Sequence, residues 1–483
     1  MQAITYQEPF KVLVKTVPLP QIIEPTDAIV KISSSGLCGS DLHRMRSSSF
    51  FFHFEIKDSD DQHNSLNSVY RNDERGPDKD TIMGHEFVGT IHQIGSDVNK
   101  NIPHDQDRFK IGDRVLSPFT TCCGEASQVY GVIYDGHGIN GAQAEYIRVP
   151  LASTTLVKVP SEISDNLGLL LADILSTGYF CAENGLNGLI GQREIKCDAN
   201  SYDENDVLVV VGCGPVGLMT VVSAVYLGAK KVYAIDSINE RLMLARDFGA
   251  IPLHLDLDDP VQTVKEATGG RGADVVMEVV GNSSALELAY KLLRPAGMLS
   301  SVGVHNSKSF PFSPTNGYDK NITYKSGRCP VRRILERTTQ LVLTKRFDLE
   351  KIITHEMKLC DGEGAYNIFD KKLDGCVKVA TLSMDSLCLF FFSSFFHDKV
   401  LYTHFTWDEF GETPFFCPSN YFYGSKTLEM ACKVRAANLI CLWAFLFLAI
   451  AWARFLQVGY IDETFDISIK LVDDPEKGYI RYE

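Results

Sequence analysis

The stretch VLVVVGCGPVGLMTVV, residues 207 to 222, most narrows what this chain can fold into. Its first five residues read as a strand buried on both faces, and Gly212, Gly214 and Gly217 separate that strand from a helix-period segment. Glycine lets a backbone turn tightly after a strand and come close to a pyrophosphate, whose charge the following helix N-terminus favours. The context extends the signal. Apolar runs KVYAID, DVVMEVV and GMLSSVG alternate with helix-period segments such as NERLMLARDFGA, so residues from about 178 to 322 predict a doubly wound parallel sheet with crossover helices. Asp236 closes KVYAID at about the spacing at which a carboxylate reaches the adenosine ribose hydroxyls. A carboxylate there repels a 2′-phosphate, and no arginine follows it immediately, so NAD is expected over NADP.

Either side of this unit the rhythm changes. Residues 1 to 177 carry short alternating runs, KVLVKTV, DAIVKIS and FVGTIHQIG, divided by Gly, Pro and Asp turns, which predicts a mostly β domain. Residues 323 to 383 return to mixed short elements, so one domain is expected to be inserted into the other, and ligand sites favour the cleft between domains. Two stretches fit neither. Residues 44 to 68, rich in Ser, Phe and Asp, read as an inserted surface loop. Residues 384 to 483 form an atypical tail that contains AANLICLWAFLFLAIAWA, Ala436 to Ala453, flanked by Arg435 and Arg454. That run has about the minimum length of a membrane span. The rival readings are a helix packed on the core and sequence that the folded protein does not normally contain.

Composition excludes some partners. At 483 residues with 45% hydrophobic content the chain has a real core, and a formal charge of −14 lacks the basic face a nucleic-acid binder needs. A small molecule is the expected partner. Thirteen scattered cysteines, with no positively charged, apolar leader, point to a reduced interior compartment, the cytoplasm, with the tail as the one candidate membrane attachment.

Three separated fragments then read as one metal site: Cys38 in GLCGSDLH, His85 in GHEFVG and Asp173 in LLADILSTGY. A zinc ion with three protein ligands keeps a fourth position for water or substrate, whereas structural zinc usually closes with four. Taken singly, Cys38 reads as a core thiol, His85 as a satisfied core histidine and Asp173 as a helix cap. In combination with the nucleotide loop the fragments GLCGSDLH, GHEFVGTI, GDRV, STGY and VGCGPVGL, in that order, resemble a zinc-dependent medium-chain alcohol dehydrogenase over about residues 1 to 383. The resemblance implies a GroES-like catalytic domain (1–177 and 323–383) and a Rossmann NAD-binding domain (178–322). It implies Cys38, His85 and Asp173 as zinc ligands, with Asp173 where many members have cysteine, as in the glutathione-independent formaldehyde dehydrogenase branch. It further implies Glu86 beneath the metal, Asp41 orienting His85, and Ser40 with His43 as the proton relay. Thr177 is expected at the nicotinamide end and Lys378, in GCVKVA, at the pyrophosphate.

Departures from that pattern matter. After GDRV the chain offers Cys122 and Cys123, then Ala126 where a further ligand cysteine would come, so no structural zinc is expected and one catalytic ion is. Cys122 and Cys123 read instead as a buried or redox-tolerant pair, and Cys213 as a small side chain under a helix. His254, His305, His355 and His404 have no companions at metal spacing and read as structural or exposed. The expected function is hydride transfer between NAD and a small alcohol, polyol or aldehyde. The alternative is a catalytically silent NAD(H)-binding sensor or interaction protein with a disrupted zinc site. Relatives of this kind form dimers and tetramers, so a homo-oligomer is expected.

Overall fold

The computed structural model describes residues 1–46, 76–102, 104, 107–122, 128–193, 205–305, 307 and 309–383. Most of the expected inserted loop, together with Cys123, Ala126 and the whole tail with its candidate span 436–453, lies outside the described residues. Among the described residues no helix is long and apolar enough to cross a membrane.

The strands in chain order are β1 (Gln2–Glu8), β2 (Lys11–Thr16), β3 (Ala28–Leu37), β4 (Glu86–Ile94), β5 (Arg114–Ser117), β6 (Val132–Tyr134), β7 (His137–Ile139), β8 (Tyr146–Val149), β9 (Val157–Lys158), β10 (Val207–Val211), β11 (Lys231–Asp236), β12 (Ile251–His254), β13 (Ala273–Glu278), β14 (Leu293–Ser301), β15 (Thr323–Ser326), β16 (Ile353–Lys358) and β17 (Lys378–Leu382). The helices used below are α1 (Gly39–Arg46), α2 (Asp165–Ala172), α3 (Ile174–Arg193), α4 (Pro215–Tyr226), α5 (Asn239–Asp247), α6 (Pro260–Ala267), α7 (Ser283–Leu292), α8 (Pro314–Lys320), α9 (Val331–Leu343) and α10 (Gly362–Lys371).

Two sheets carry the molecule, as the sequence pattern predicts. The seven-stranded sheet runs β16-β17-β3-β4-β5-β9, with β8 also on β3. Strand β3 is its spine. One flank pairs along its length with β4, from Ala28↔Ile94 to Gly36↔Glu86. The other is shared, with β8 on the first half (Ala28↔Val149) and β17 on the second (Ala380↔Gly36). The last described strand is therefore part of the same sheet as the first ligand fragment.

The six-stranded sheet is parallel and ordered β12-β11-β10-β13-β14-β15. Every residue of β10 and β13 is buried, the signature of a strand covered on both faces. The period-two alternation sorts side chains between two cores: Leu208 and Val210 pack with Leu218 and Val222 of α4, while Val207, Val209 and Val211 pack with Val264 of α6 and Leu286 of α7. The strand order reverses between β10 and β13, and in such sheets ligands bind outside the carboxyl ends at that reversal.

The expected domain boundaries move. Helix α3 runs through position 178 without a break, and β15, expected to lie after the return to the first domain at 323, is the edge strand of the second sheet. A four-residue edge strand with three exposed positions carries almost no apolar pattern, which is why the sequence places it wrongly. Residues 44 to 46, assigned to the loop, close α1 instead.

Leu299 of β14 is fully buried in the core under α7, a different core from the one the Cys38 side chain packs against. Leu299→Ala is expected to cost about 2–5 kcal/mol of stability in a urea titration, with metal content unchanged.

Candidate metal centre and nucleotide cleft

Cys38 leaves the end of β3, and the first turn of α1 follows at once. Asp41, fully buried, uses both carboxylate oxygens there: Oδ2 accepts the Cys38 amide at 3.0 Å, and Oδ1 lies 3.0 Å from Nδ1 of His85. One side chain thus sets the backbone of one candidate ligand and the ring orientation of another. The opposite ring nitrogen, Nε2, stands 3.3 Å from Oδ2 of Asp173 and 3.2 Å from Oγ of Ser40. Asp173 sits at the break between α2 and α3 in a non-helical conformation (φ −147°, ψ −74°), and Thr177, one turn into α3, donates to its Oδ1 at 2.9 Å. Its Oδ2 is left facing Sγ of Cys38 at 3.7 Å.

The donor atoms of Cys38, His85, Glu86 and Asp173 all lie within 4.8 Å of one another. Zinc bonds of about 2.0–2.3 Å to N, O and S imply tetrahedral edges of about 3.3–3.6 Å. The His85–Asp173 and Cys38–Asp173 separations of 3.3 and 3.7 Å fit such edges, and soft thiolate, imidazole and carboxylate form a zinc donor set.

Glu86 and Lys378 lie beneath this cluster, and neither is accessible to solvent. Lys378 was expected at the pyrophosphate. Its ammonium instead donates to the Leu37 carbonyl at 3.0 Å and to the Glu86 carboxylate. The pair meets across β3 because position 36 has no side chain: a Cβ there would lie 2.0 Å from Oε2 of Glu86. The other carboxylate oxygen, Oε1, is buried without a hydrogen-bond partner among the described residues, an acceptor in reserve beside the candidate metal donors. Burial pushes the Glu86 carboxyl up against the pull of Lys378, with Asp173 adding to the rise. Burial opposes the imidazolium of His85, but Asp41 and Asp173 outweigh it and hold that group well above the ordinary histidine range. Asp173 is held low, against the cost of burial, by His85 and Thr177. The site is thus strongly polarised, the condition under which perturbed titrations mark function.

Sequence reasoning missed the support behind Asp41. Tyr366 of α10 donates to Oε1 of buried Gln143 at 2.8 Å, and Gln143 donates to the Gly36 carbonyl at 3.2 Å. No spacing in the sequence relates those residues. Ser40 faces His85, while His43 is exposed on the same helix and lines the same cleft.

That cleft, of about 1070 Å³, also takes in the glycine loop. Gly212 has φ +97°, and a Cβ on Gly217 would lie 1.9 Å from the Gly212 carbonyl, so neither position admits a side chain. Around Gly214, at the start of α4, Nη1 of Arg241 at 3.8 Å is the one atom among the described residues, chain neighbours and the helix's own backbone aside, within 4 Å of where a Cβ would be, which leaves room for a ligand. The Asp236 carboxylate accepts the Cys213 amide at 2.7 Å and the Ile238 amide at 3.0 Å, tying the loop to the end of β11. Arg241, on α5, brings a cation back to this region, five residues beyond the aspartate. Its Nε is buried with no hydrogen-bond partner among the described residues. An orphaned guanidinium nitrogen beside an open glycine fits an anionic cofactor. Cys213 is buried, its thiol pushed above the ordinary range chiefly by that burial, which makes it inert packing.

Asp41→Asn should keep the fold but weaken zinc retention about 10- to 100-fold, because the amide cannot hold the imidazole as the carboxylate does. Competition against a graded chelator, with zinc read by elemental mass spectrometry, measures it.

The likeness to known proteins agrees with this geometry. Residues 24–161 match the alcohol dehydrogenase GroES-like domain, and 215–342 match the zinc-binding dehydrogenase domain. A medium chain reductase/dehydrogenase of Acremonium sp is 40% identical over 330 residues, 66% of this chain and 98% of that protein. Zinc-type alcohol dehydrogenase B of Aspergillus flavus is 35% identical over 381 residues, 77% of this chain and 79% of its own length. The solved alcohol dehydrogenase of Thermus sp. ATN1 superposes with a TM-score of 0.64 at 32% identity, covering 79% of this chain and 99% of that one. With a GroES-like sheet carrying the Cys38 and His85 donors and a doubly wound sheet carrying the glycine loop, the chain belongs to the zinc-type medium-chain alcohol dehydrogenase family.

Proposed function

We propose that the chain is a zinc- and NAD-dependent dehydrogenase that moves a hydride between the cofactor and a small alcohol, polyol or aldehyde. The observation that carries this reading is the convergence of Cys38 Sγ, His85 Nε2 and Asp173 Oδ2 at zinc-edge separations on a cleft shared with Gly212, Gly214 and Asp236. Cys38, His85 and Asp173 are the ligands of one catalytic ion. When bound, zinc supplies a Lewis acid that stabilises the developing oxyanion of an alcohol or polarises a carbonyl.

The chain's own groups do the rest. Asp41 holds His85 in the tautomer that presents Nε2 to the centre, and Glu86, anchored by Lys378, keeps a carboxylate beneath it. Ser40, beside His85, is placed to accept the hydroxyl proton, and His43, exposed on the same helix and on the cleft wall, to release it to solvent. Thr177 fixes Asp173 and would meet the nicotinamide end. Asp236 would hold the adenosine ribose, and Arg241 would face the phosphates. An aspartate as third ligand is the feature shared with the glutathione-independent formaldehyde dehydrogenase branch, so aldehyde hydrates join alcohols and polyols as substrates to be tried. The catalytically silent alternative gains no support from a site whose donors are assembled.

Purified, chelator-washed protein should contain one zinc per chain and reduce NAD, followed at 340 nm, on at least one member of that panel. Cys38→Ser should lose both the metal and turnover while still binding NADH. Zinc-free wild-type protein would overturn the reading. Asp236→Ala should weaken NADH binding about tenfold with zinc retained, through loss of the charged partner of the ribose hydroxyls and of the loop.

A further inference from the structure

The carboxylate of Glu278, at the end of β13, is fully buried, yet no lysine or arginine is hydrogen-bonded to it among the described residues. It gathers four donors. Oε1 accepts the amides of Val280 at 2.9 Å and Gly281 at 2.7 Å, and Oε2 accepts Ser301 Oγ at 2.7 Å, with Nε2 of His305 at 3.0 Å. Ser301 spends its hydroxyl proton on Glu278, so His305 donates from Nε2 to the carboxylate while Ser301 Oγ lies 2.9 Å away. The first two donors belong to the loop after β13, the last two to the end of β14 and the loop after it. The carboxylate therefore fastens two loops that leave adjacent strands at their carboxyl ends. Their backbones already touch: a Cβ on Gly303 would lie 2.2 Å from the Gly281 amide nitrogen. Burial works against the charged form of Glu278, but His305, the Gly281 amide and Ser301 more than offset it.

Both loops line the cleft, and their place in it follows from topology. Asp236 on β11 marks the adenosine half on one side of the strand reversal, and β13 and β14 lie on the other. A dinucleotide laid across that reversal puts its second mononucleotide, the nicotinamide half, over the ends of β13 and β14. The His305 side chain is 22% exposed on the cleft wall while its partner is 0% exposed, so a change in the cleft can reach the buried carboxylate through it.

We propose that His305 is a positioning residue for the nicotinamide half of the cofactor, acting through Glu278 to hold the loop after β14 against the loop after β13. The inference rests on the dinucleotide reading above and assigns a role within it to a histidine whose sequence neighbours give no hint of one. Its companions come from 27 and 4 residues away, at strand ends rather than at a ligand spacing.

The test compares two ligands on the full chain by calorimetry: NADH, and ADP-ribose, which lacks the nicotinamide ring. His305→Leu removes the donor and is expected to weaken NADH about tenfold, the effect of one hydrogen bond to a charged group, while ADP-ribose affinity stays within about twofold. His305→Gln, which keeps an N–H donor, should recover most of the loss. Equal weakening of both ligands, or unchanged NADH binding in His305→Leu, would overturn the proposal. Glutamine behaving as leucine does would overturn it too, since the hydrogen bond would then not be the cause. Failure of wild-type protein to bind ADP-ribose would instead remove the dinucleotide reading itself.

Discussion

Much of the catalytic half of the molecule hangs on the buried contact between Glu86 and Lys378. An ion pair without solvent access is a doubtful source of stability, because desolvating both charges cancels most of their attraction. Its effect here is positional. Glu86 opens β4 directly after the candidate ligand His85, and Lys378 opens β17 at the far end of the described chain. The two reach each other over Gly36 of β3, the strand that delivers Cys38. Three strands from distant parts of the sequence are thereby registered against one another under the candidate metal donors. A shifted register would leave a charge buried alone, so the pairing selects one arrangement.

Above that foundation the donors are arranged in shells of decreasing freedom. Asp173 and His85 face each other across the centre, Asp41 fixes His85 from behind, and Gln143 with Tyr366 backs the β3 carbonyl at Gly36. The nucleotide side follows the same logic with backbone in place of side chains. Asp236 and Glu278 close the two parallel strands that flank β10, and each spends its carboxylate on the amides of loops that a ligand would touch.

The sheet class, the glycine loop and the meeting of Cys38, His85 and Asp173 were legible in the sequence, because each has a local signature: unbroken apolar strands, glycines at fixed offsets, and ligand types in recognisable fragments. What failed depended on contacts between distant segments. Lys378 reads as a phosphate ligand in isolation, and only the β17–β3–β4 register shows its ammonium already engaged. His305 reads as an unaccompanied histidine because its partner ends a strand that is adjacent in space but remote in sequence. Arg241 escaped notice because it returns to the loop from inside a helix. The β15 edge strand was misplaced because exposure leaves it no apolar pattern.

Asp173 has a further consequence through its address. Cys38 and His85 are delivered by the seven-stranded sheet, whereas Asp173 heads α3, and α3 packs along α4, the helix that begins at the glycine loop. A Cβ on Gly178 would lie 2.6 Å from the backbone of Met219, so the two helices touch main chain to main chain. A metal held by all three residues would therefore link the two sheets as well as serve the chemistry. Chelation would then remove a cross-link between distant segments together with the Lewis acid.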